Sequence, residues 1–162
     1  MTRTINEAGL NLIKKWEGFR GEVYKDSVGV LTIGYGHTKN VKPGDTITEP
    51  KALELLKEEV AGYAASVHKY LGHVPLNDNQ FAALVSLTYN IGAGWMIRKY
   101  GLFRLLNDKF YEKAAGRILA YHYAGGKPLQ GLKNRRREER ELFLKEPEKV
   151  VERCTKCGQI IE

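Results

Sequence analysis

Two acidic residues near the amino terminus have surroundings that suit opposite protonation states. Glu17 lies between Trp16 and Gly18 at the predicted end of a helix, so we expect its carboxyl to lie against apolar surface and to keep its proton near neutral pH. Asp26 lies in a predicted loop, where hydrogen bonds favour the ionised form. Such a pair suits cleavage of a glycosidic bond, with the Thr32 hydroxyl positioned to hold the attacking water.

The elements that carry these residues are predicted from local patterns. Thr4 and Glu7 have the spacing of a capping box, which predicts a first helix with Thr4 as its N-cap and its end near Glu17 and Gly18. Residues 19–47 contain repeated glycines between short β-rich pieces. This region predicts a small antiparallel sheet of two or three strands.

The rest of the chain is predicted to be helical. A long helix starts near Thr48 and links two lobes, and Asn77 is an N-cap signal for the next helix. Further helices are predicted over 94–107, 109–121 and 132–144, with a loop over 124–128. The fold class is therefore α+β: a small sheet lobe and a larger helical lobe.

The chain has 162 residues, enough for one domain. We predict a catalytic domain over 1–146, with a sheet lobe at 18–47 and a helical lobe at 1–17 and 48–146, followed by a polar tail at 147–162. No apolar run reaches the length of a membrane span. The amino terminus has no apolar h-region, so we expect no signal peptide and accumulation in the cytoplasm of the producing cell.

Positive charge is concentrated in the carboxyl-terminal half. The net charge is +7, and residues 91–137 hold eleven Lys or Arg against Asp108 and Glu112, a local excess of nine. Such a region attracts polyanions, among them nucleic acids, anionic membranes and cell-envelope polymers. A nucleic-acid partner is not predicted, because no recognised motif accompanies the charge.

The spacing of Glu17, Asp26 and Thr32 resembles the Glu-x8-Asp-x5-Thr pattern of bacteriophage lysozymes. The similarity extends to the motifs Trp-Glu-Gly-Phe-Arg at 16–20, Gly-Tyr-Gly-His at 34–37, Tyr-Asn-Ile-Gly at 89–92 and Arg-Arg-Arg-Glu at 135–138, and it covers about residues 5–144. It implies two lobes flanking a cleft, and hydrolysis of peptidoglycan between N-acetylmuramic acid and N-acetylglucosamine. It further implies inversion, with Asp26 and Thr32 positioning water, and a monomeric endolysin that needs no cofactor and is released from the host cytoplasm with a holin.

Further residues are candidates for substrate contacts. His37 either assists catalysis or is tied to the helical lobe, the interpretation we favour. Tyr35 either lines the cleft or packs, and Asn90 either binds a sugar amide or caps its helix. In the resembling family an arginine of the last helix faces the cleft, and here both Arg135 and Arg136 fit that place.

The tail carries Cys154 and Cys157 in a Cys-x2-Cys-Gly arrangement, which presents two thiolates to zinc. A structural site needs four ligands, so zinc here implies sharing between two chains and a dimer. The alternative is a tail with two reduced thiols or a short disulfide.

Two other functions remain open from the sequence. A lytic transglycosylase uses a lone acid and makes 1,6-anhydro ends, and Asp26 with Thr32 argues against it. A cationic protein that permeabilises anionic membranes without catalysis is the alternative from another class.

Overall fold

A small β hairpin lies between the first two of seven helices in the described part of the chain. The structure, a computed structural model, describes residues 3–26, 29–97 and 101–147. The elements in chain order are α1 (Glu7–Glu17), β1 (Arg20–Lys25), β2 (Leu31–Gly34), α2 (Glu49–Leu71), α3 (Asp78–Ile91), α4 (Gly94–Ile97), α5 (Leu102–Asn107), α6 (Tyr111–Ile118), β3 (Tyr123–Ala124), β4 (Lys127–Pro128) and α7 (Gln130–Leu144). The predicted α+β fold class is confirmed.

Helix α3 lies at the centre of the helical lobe, and every residue from Phe81 to Thr88 is buried. It packs against α1, α2 and α7. The predicted N-cap is confirmed: the Asn77 side chain accepts from the backbone N–H of Gln80, and the Gln80 side chain accepts from that of Asn77. This reciprocal pair satisfies two otherwise unpaired donors at the helix start.

Helix α2 begins after Thr48, as predicted. Pro50 lies in its first turn, where a missing N–H costs nothing. The buried residues recur every three or four positions and form one stripe against the core: Ala52, Leu56, Val60, Ala64, Val67 and Leu71.

Helix α1 ends as predicted but begins two residues later than expected. Gly18 has φ of 69°, which ends the helix directly after Glu17. The prediction of Thr4 as N-cap was wrong: Asn6 is the N-cap, and its Oδ1 accepts from the Gly9 N–H at 3.0 Å. The Asn6 Nδ2 also donates to Asn79 Oδ1 at 2.9 Å, so one side chain caps α1 and fastens it to α3.

The sheet lobe is built on the antiparallel pair β1 and β2. Tyr24 pairs with Thr32 and Lys25 with Leu31, and isolated bridges join Glu22 to Thr46 and Ile33 to His37. The predicted small antiparallel sheet is therefore confirmed.

Three predictions for the carboxyl-terminal half differ from the structure. The single helix over 94–107 is divided, because Gly101 has φ of 60° and ψ of −121°, outside the helical region; residues 98–100 lie outside the described part. The loop at 124–128 is the turn of a short hairpin, in which Gly125 and Gly126 have φ of 56° and 77°, as a tight hairpin turn requires. The helix predicted over 109–121 is shorter and spans Tyr111–Ile118.

Among the described residues, no helix is both long and apolar enough to cross a bilayer. The predicted tail at 147–162 lies outside the described residues from position 148 onward, and with it Cys154 and Cys157. The predicted domain boundary and zinc site stay predictions.

Candidate active site

Glu17 is the last residue of α1, and its carboxylate is held by an arginine from the last helix. Arg135 Nη1 donates to Glu17 Oε1 at 2.8 Å, and the Glu17 side chain is 23% exposed. The expectation that this carboxyl lies against apolar surface was therefore wrong: its hydrogen-bond partner is a guanidinium. Nothing in the sequence near Glu17 reveals a contact with a residue 118 positions away.

The backbone of the sheet lobe passes close to Glu17 at Gly36. This glycine has φ of 90°, and a Cβ placed on it would lie 3.4 Å from Glu17 Oε2. A side chain here would be strained and would crowd the carboxylate. Gly36 therefore allows the chain to turn beside Glu17 while leaving room at its carboxyl group.

Glu17 borders an open concavity of about 530 Å³. Its lining is mostly polar and combines hydroxyl, amide and carboxyl groups that can hydrogen-bond a carbohydrate; the lining residues are Glu17, Gly36, Thr38, Glu59, Tyr63, Tyr89 and Asn90. A polar, open cleft of this kind suits an extended glycan better than a small apolar ligand.

Asp26 and Thr32 share one face of the hairpin. Tyr24 is directly opposite Thr32, and Asp26 follows Tyr24 by two residues, so the three side chains lie on the same side of the sheet. Among the described residues, neither Asp26 nor Thr32 lines the concavity beside Glu17.

The local contacts of this pair hold the end of the hairpin together. The Val30 N–H donates to Asp26 Oδ1 at 2.8 Å, and the Asp26 N–H donates to the Val30 carbonyl at 2.9 Å. Thr32 is buried, and its hydroxyl donates to the same Val30 carbonyl at 3.1 Å. The Asp26 carboxylate and the Thr32 hydroxyl are therefore oriented by one residue of the hairpin.

Of the two arginine candidates, Arg135 contacts Glu17 and Arg136 does not reach the cleft. Arg136 is fully buried, and its guanidinium donates to Asn90 Oδ1 at 3.0 Å and to the Tyr121 carbonyl at 3.4 Å. Successive helical residues point about 100° apart, which separates their roles. Arg136 as a substrate contact is corrected: it fixes Asn90, which lines the concavity.

His37 is tied to the helical lobe, the interpretation favoured from the sequence. Its Nδ1 lies 2.5 Å from Oε1 of Glu59 on α2. Glu59 Oε2 also accepts from the Tyr89 hydroxyl at 3.4 Å. Burial, with the nearby carboxylates of Glu17 and Glu59, raises the pKa of Tyr89 above its usual range, so this hydroxyl stays protonated as a donor.

Tyr35 packs in the core and does not line the cleft. The residue is only 5% exposed, its ring lies 5.6 Å from that of Phe19, and its hydroxyl donates to Glu49 Oε1 at 2.5 Å. Burial and the Glu49 carboxylate raise the pKa of Tyr35 to about 12. The proposal of Tyr35 as a substrate contact is therefore corrected.

Several residues of the site were not found from the sequence. Tyr63 and Glu59 lie on helices and belong to no motif that marks them as cleft residues, and Tyr89 belongs to the Tyr-Asn-Ile-Gly motif but was not predicted to line the cleft. Within the described ranges, no group of three or more His, Cys, Asp or Glu side chains is arranged to hold a metal ion.

Comparison with known proteins identifies the family of this chain. Residues 14–139 match the family model described as phage lysozyme. An endolysin of Bacillus phage B103 is 42% identical over 154 residues, 93% of this chain and 58% of that protein, so the chain spans less than two thirds of its length. An endolysin of Salmonella phage P22 is 43% identical over 145 residues, 86% of this chain and 97% of that protein.

The fold agrees as well. The solved structure of an endolysin from Escherichia coli O157:H7 phage FAHEc1 superposes with a TM-score of 0.80 at 36% identity, covering 89% of this chain and 95% of that one. With a family model that matches most of the domain and relatives at this level of identity, the chain belongs to the phage lysozyme family.

Proposed function

We propose that this protein is an endolysin that hydrolyses the β-1,4 bond between N-acetylmuramic acid and N-acetylglucosamine in bacterial peptidoglycan. The observation that carries the proposal is the position of Glu17: a partly exposed carboxyl at the rigid end of a packed helix, on the wall of a polar concavity. The family relationship supports the same reaction.

In the proposed reaction, Glu17 protonates the glycosidic oxygen as the sugar–oxygen bond breaks. Asp26 and the Thr32 hydroxyl orient a water molecule that attacks the sugar from the opposite face, which inverts the anomeric carbon. Arg135 stabilises the Glu17 carboxylate that remains after the proton has left. The hydroxyl groups of Tyr63 and Tyr89 and the amide of Asn90 are available to bind the glycan.

The proposed biological setting follows from the family relationship. Peptidoglycan is the partner, no cofactor is required, and the protein acts as a monomer. We propose release from the host cytoplasm to the cell wall with the help of a holin. The net charge of +7 favours accumulation on the anionic polymers of the envelope.

The proposal is tested on purified peptidoglycan with Glu17→Gln, which keeps the size of the side chain but carries no acidic proton. We expect the initial rate to fall by about 100- to 10,000-fold, the usual contribution of a general acid. Glu54→Gln is the matched control, since Glu54 lies on the exposed face of α2 in a surface pair with Lys51 and should keep the wild-type rate.

Mass spectrometry of the products separates the alternatives. Reducing ends support hydrolysis, whereas 1,6-anhydro ends identify a lytic transglycosylase. Full activity of Glu17→Gln on the glycan would overturn the assignment. A Glu17→Gln protein that cannot cut the glycan but still permeabilises anionic vesicles would identify a membrane activity independent of the site.

A further inference from the structure

A cluster of buried charges lies directly behind Glu17, on α7. Glu139 is fully buried, and its Oε1 accepts from three donors: Ser86 Oγ at 2.8 Å, Arg136 Nη2 at 2.9 Å and Arg135 Nε at 3.3 Å. Its Oε2 lies 2.7 Å from Arg136 Nε. The proposed reaction uses none of these contacts.

Arg135 is shared between two carboxylates. Its Nη1 donates to Glu17 in the cleft, and its Nε donates to Glu139 in the interior. The Arg135 side chain is 5% exposed, so neither contact is screened by much water. The guanidinium therefore connects the proposed acid to a carboxylate that substrate cannot reach.

The number of donors around Glu139 indicates that it is ionised. Burial raises the pKa of Glu139, but Arg136, Arg135 and the Ser86 hydroxyl oppose that effect. Two guanidinium groups lie in ion-pair contact with this carboxyl, and such contacts favour its ionised form. The cluster of Glu17, Arg135, Arg136 and Glu139 is then neutral when both carboxylates are charged.

This balance matters for a general acid. A guanidinium that paired with Glu17 alone would favour its ionised form. Fewer molecules would then carry the proton that the reaction needs. A second carboxylate on the same guanidinium offsets part of that effect and also fixes the direction of the arginine side chain.

We propose that Glu139 is a positioning residue for the proposed reaction. Because Glu139 shares Arg135 with Glu17, the arginine stabilises the negative charge of Glu17 less strongly, and the Glu17 carboxyl remains able to carry a proton. This proposal rests on the proposed function of Glu17 as the acid. Glu139 acts only through Arg135 and does not touch the substrate.

The surroundings of Glu17 contain other charged and titratable groups, which the test must leave unchanged. They are Arg135 and Glu138 of α7, Tyr89 of α3, Glu59 of α2, His37 between β2 and α2, and Lys14 and Lys15 of α1 itself. All of them are common to the wild type and to the variants below, so differences between these proteins report the buried pair.

Three variants change the buried charge in different directions. Glu139→Gln removes one negative charge and leaves the cluster at +1, whereas Arg136→Met removes one positive charge and leaves it at −1. The double variant R136M/E139Q restores neutrality. Glu141→Gln is the matched control, because Glu141 lies on the same helix but is exposed.

The titration of the Glu17 carboxyl is followed directly by 13C NMR of carboxyl-labelled protein. In Glu139→Gln we expect its midpoint to move to lower pH by about one unit, because Arg135 then pairs with Glu17 alone and stabilises its ionised form more strongly. In Arg136→Met the midpoint should move to higher pH. The double variant and Glu141→Gln should titrate like the wild type.

The alkaline limb of the pH–rate profile on peptidoglycan should move in the same directions, because the acid is lost as it ionises. Loss of stability alone does not move a titration midpoint in the folded protein. If Glu139→Gln does not fold, Arg136→Met decides, because Ser86 and Arg135 still donate to Glu139 in that variant. Midpoints that stay at the wild-type pH in the folded variants would overturn the proposal.

The two hypotheses fail separately. If Glu17→Gln retains full activity, the proposed function fails, whatever the titrations show. If Glu17→Gln is inactive and the Glu17 titration is insensitive to the buried charges, only the role of Glu139 fails.

Discussion

Gly9 lies where α1 packs closely against Ala82 of α3, and replacing it tests how the helix that carries Glu17 is held. A Cβ built on Gly9 lies 2.6 Å from the Ala82 Cβ and 2.8 Å from the Cδ1 and Cγ1 atoms of Ile5. The end of the Ile5 side chain can rotate away. The Ala82 Cβ is attached to the backbone of α3, so only a movement of one helix relative to the other relieves that contact.

The sign of the effect follows from two opposing terms. Alanine is favoured over glycine inside a helix by about 1 kcal/mol. Overpacking a close contact costs roughly 1–3 kcal/mol, and a 2.6 Å approach belongs near the upper end of that range. We therefore expect Gly9→Ala to lower the free energy of unfolding by about 1–2 kcal/mol.

Gly62 provides the matched control. It lies inside α2, where an added Cβ meets no heavy atom of the described residues within 4 Å. Gly62→Ala should therefore gain the helix preference alone and raise the free energy of unfolding by up to about 1 kcal/mol. The two substitutions are chemically identical, so the difference between them measures the contact with α3.

The assay is urea denaturation followed by circular dichroism, with Gly9→Ala, Ala82→Gly and the double variant forming a cycle. We expect a coupling energy of about 1–3 kcal/mol in favour of the double variant, because removing the Ala82 methyl group makes room for the new one. A Gly9→Ala protein as stable as Gly62→Ala would refute the close approach of α1 and α3.

Two further predictions concern single contacts. Asn77→Ala removes the reciprocal cap with Gln80 and should lower the free energy of unfolding by about 0.5–2 kcal/mol in chemical denaturation; an unchanged midpoint would contradict the cap. Tyr35→Phe should weaken the fall in the free energy of unfolding that the wild-type protein shows at alkaline pH. The folded protein holds the Tyr35 proton up to about pH 12, whereas the unfolded chain releases it near its usual pKa of 10, so wild-type stability falls as the pH rises through this window. Denaturation of both proteins across this range measures the difference, and equal slopes would contradict the buried hydroxyl.

Elements with strong local signals were predicted well from the sequence. The end of α1 at Gly18, the start of α2 after Thr48 and the cap at Asn77 each depend on residues within one turn of the boundary. At such positions the backbone groups left unpaired by the helix are satisfied by near neighbours in sequence. The prediction therefore needed no knowledge of tertiary contacts.

The start of α1 shows where local signals fail. Thr4 and Asn6 are both good N-cap residues, and only Thr4 has an acid at the spacing of a capping box. Asn6 is the N-cap in the structure, and its amide also donates to Asn79 on another helix. A contact across 73 positions in sequence is not visible from the local pattern.

The site was only partly predictable for the same reason. The spacing of Glu17, Asp26 and Thr32 pointed to the correct family, but the expected apolar surroundings of Glu17 were replaced by Arg135. The sequence left Arg135 and Arg136 equivalent, because adjacent residues of a helix face different directions and the sequence does not show which direction faces the cleft. Their different partners depend on how α7 is rotated against α1 and α3.

The buried positions of these arginines also bear on the membrane alternative. That hypothesis rests on a local excess of nine positive charges over residues 91–137. Two of those charges, on Arg135 and Arg136, are buried and paired with Glu17 and Glu139, acids that lie outside this segment of the sequence. Without these two charges the local excess is seven rather than nine, and of the densest run of basic residues in the chain only Arg137 is exposed. Charge counted along a sequence overstates the charge presented to a membrane when some of the basic residues are buried in ion pairs.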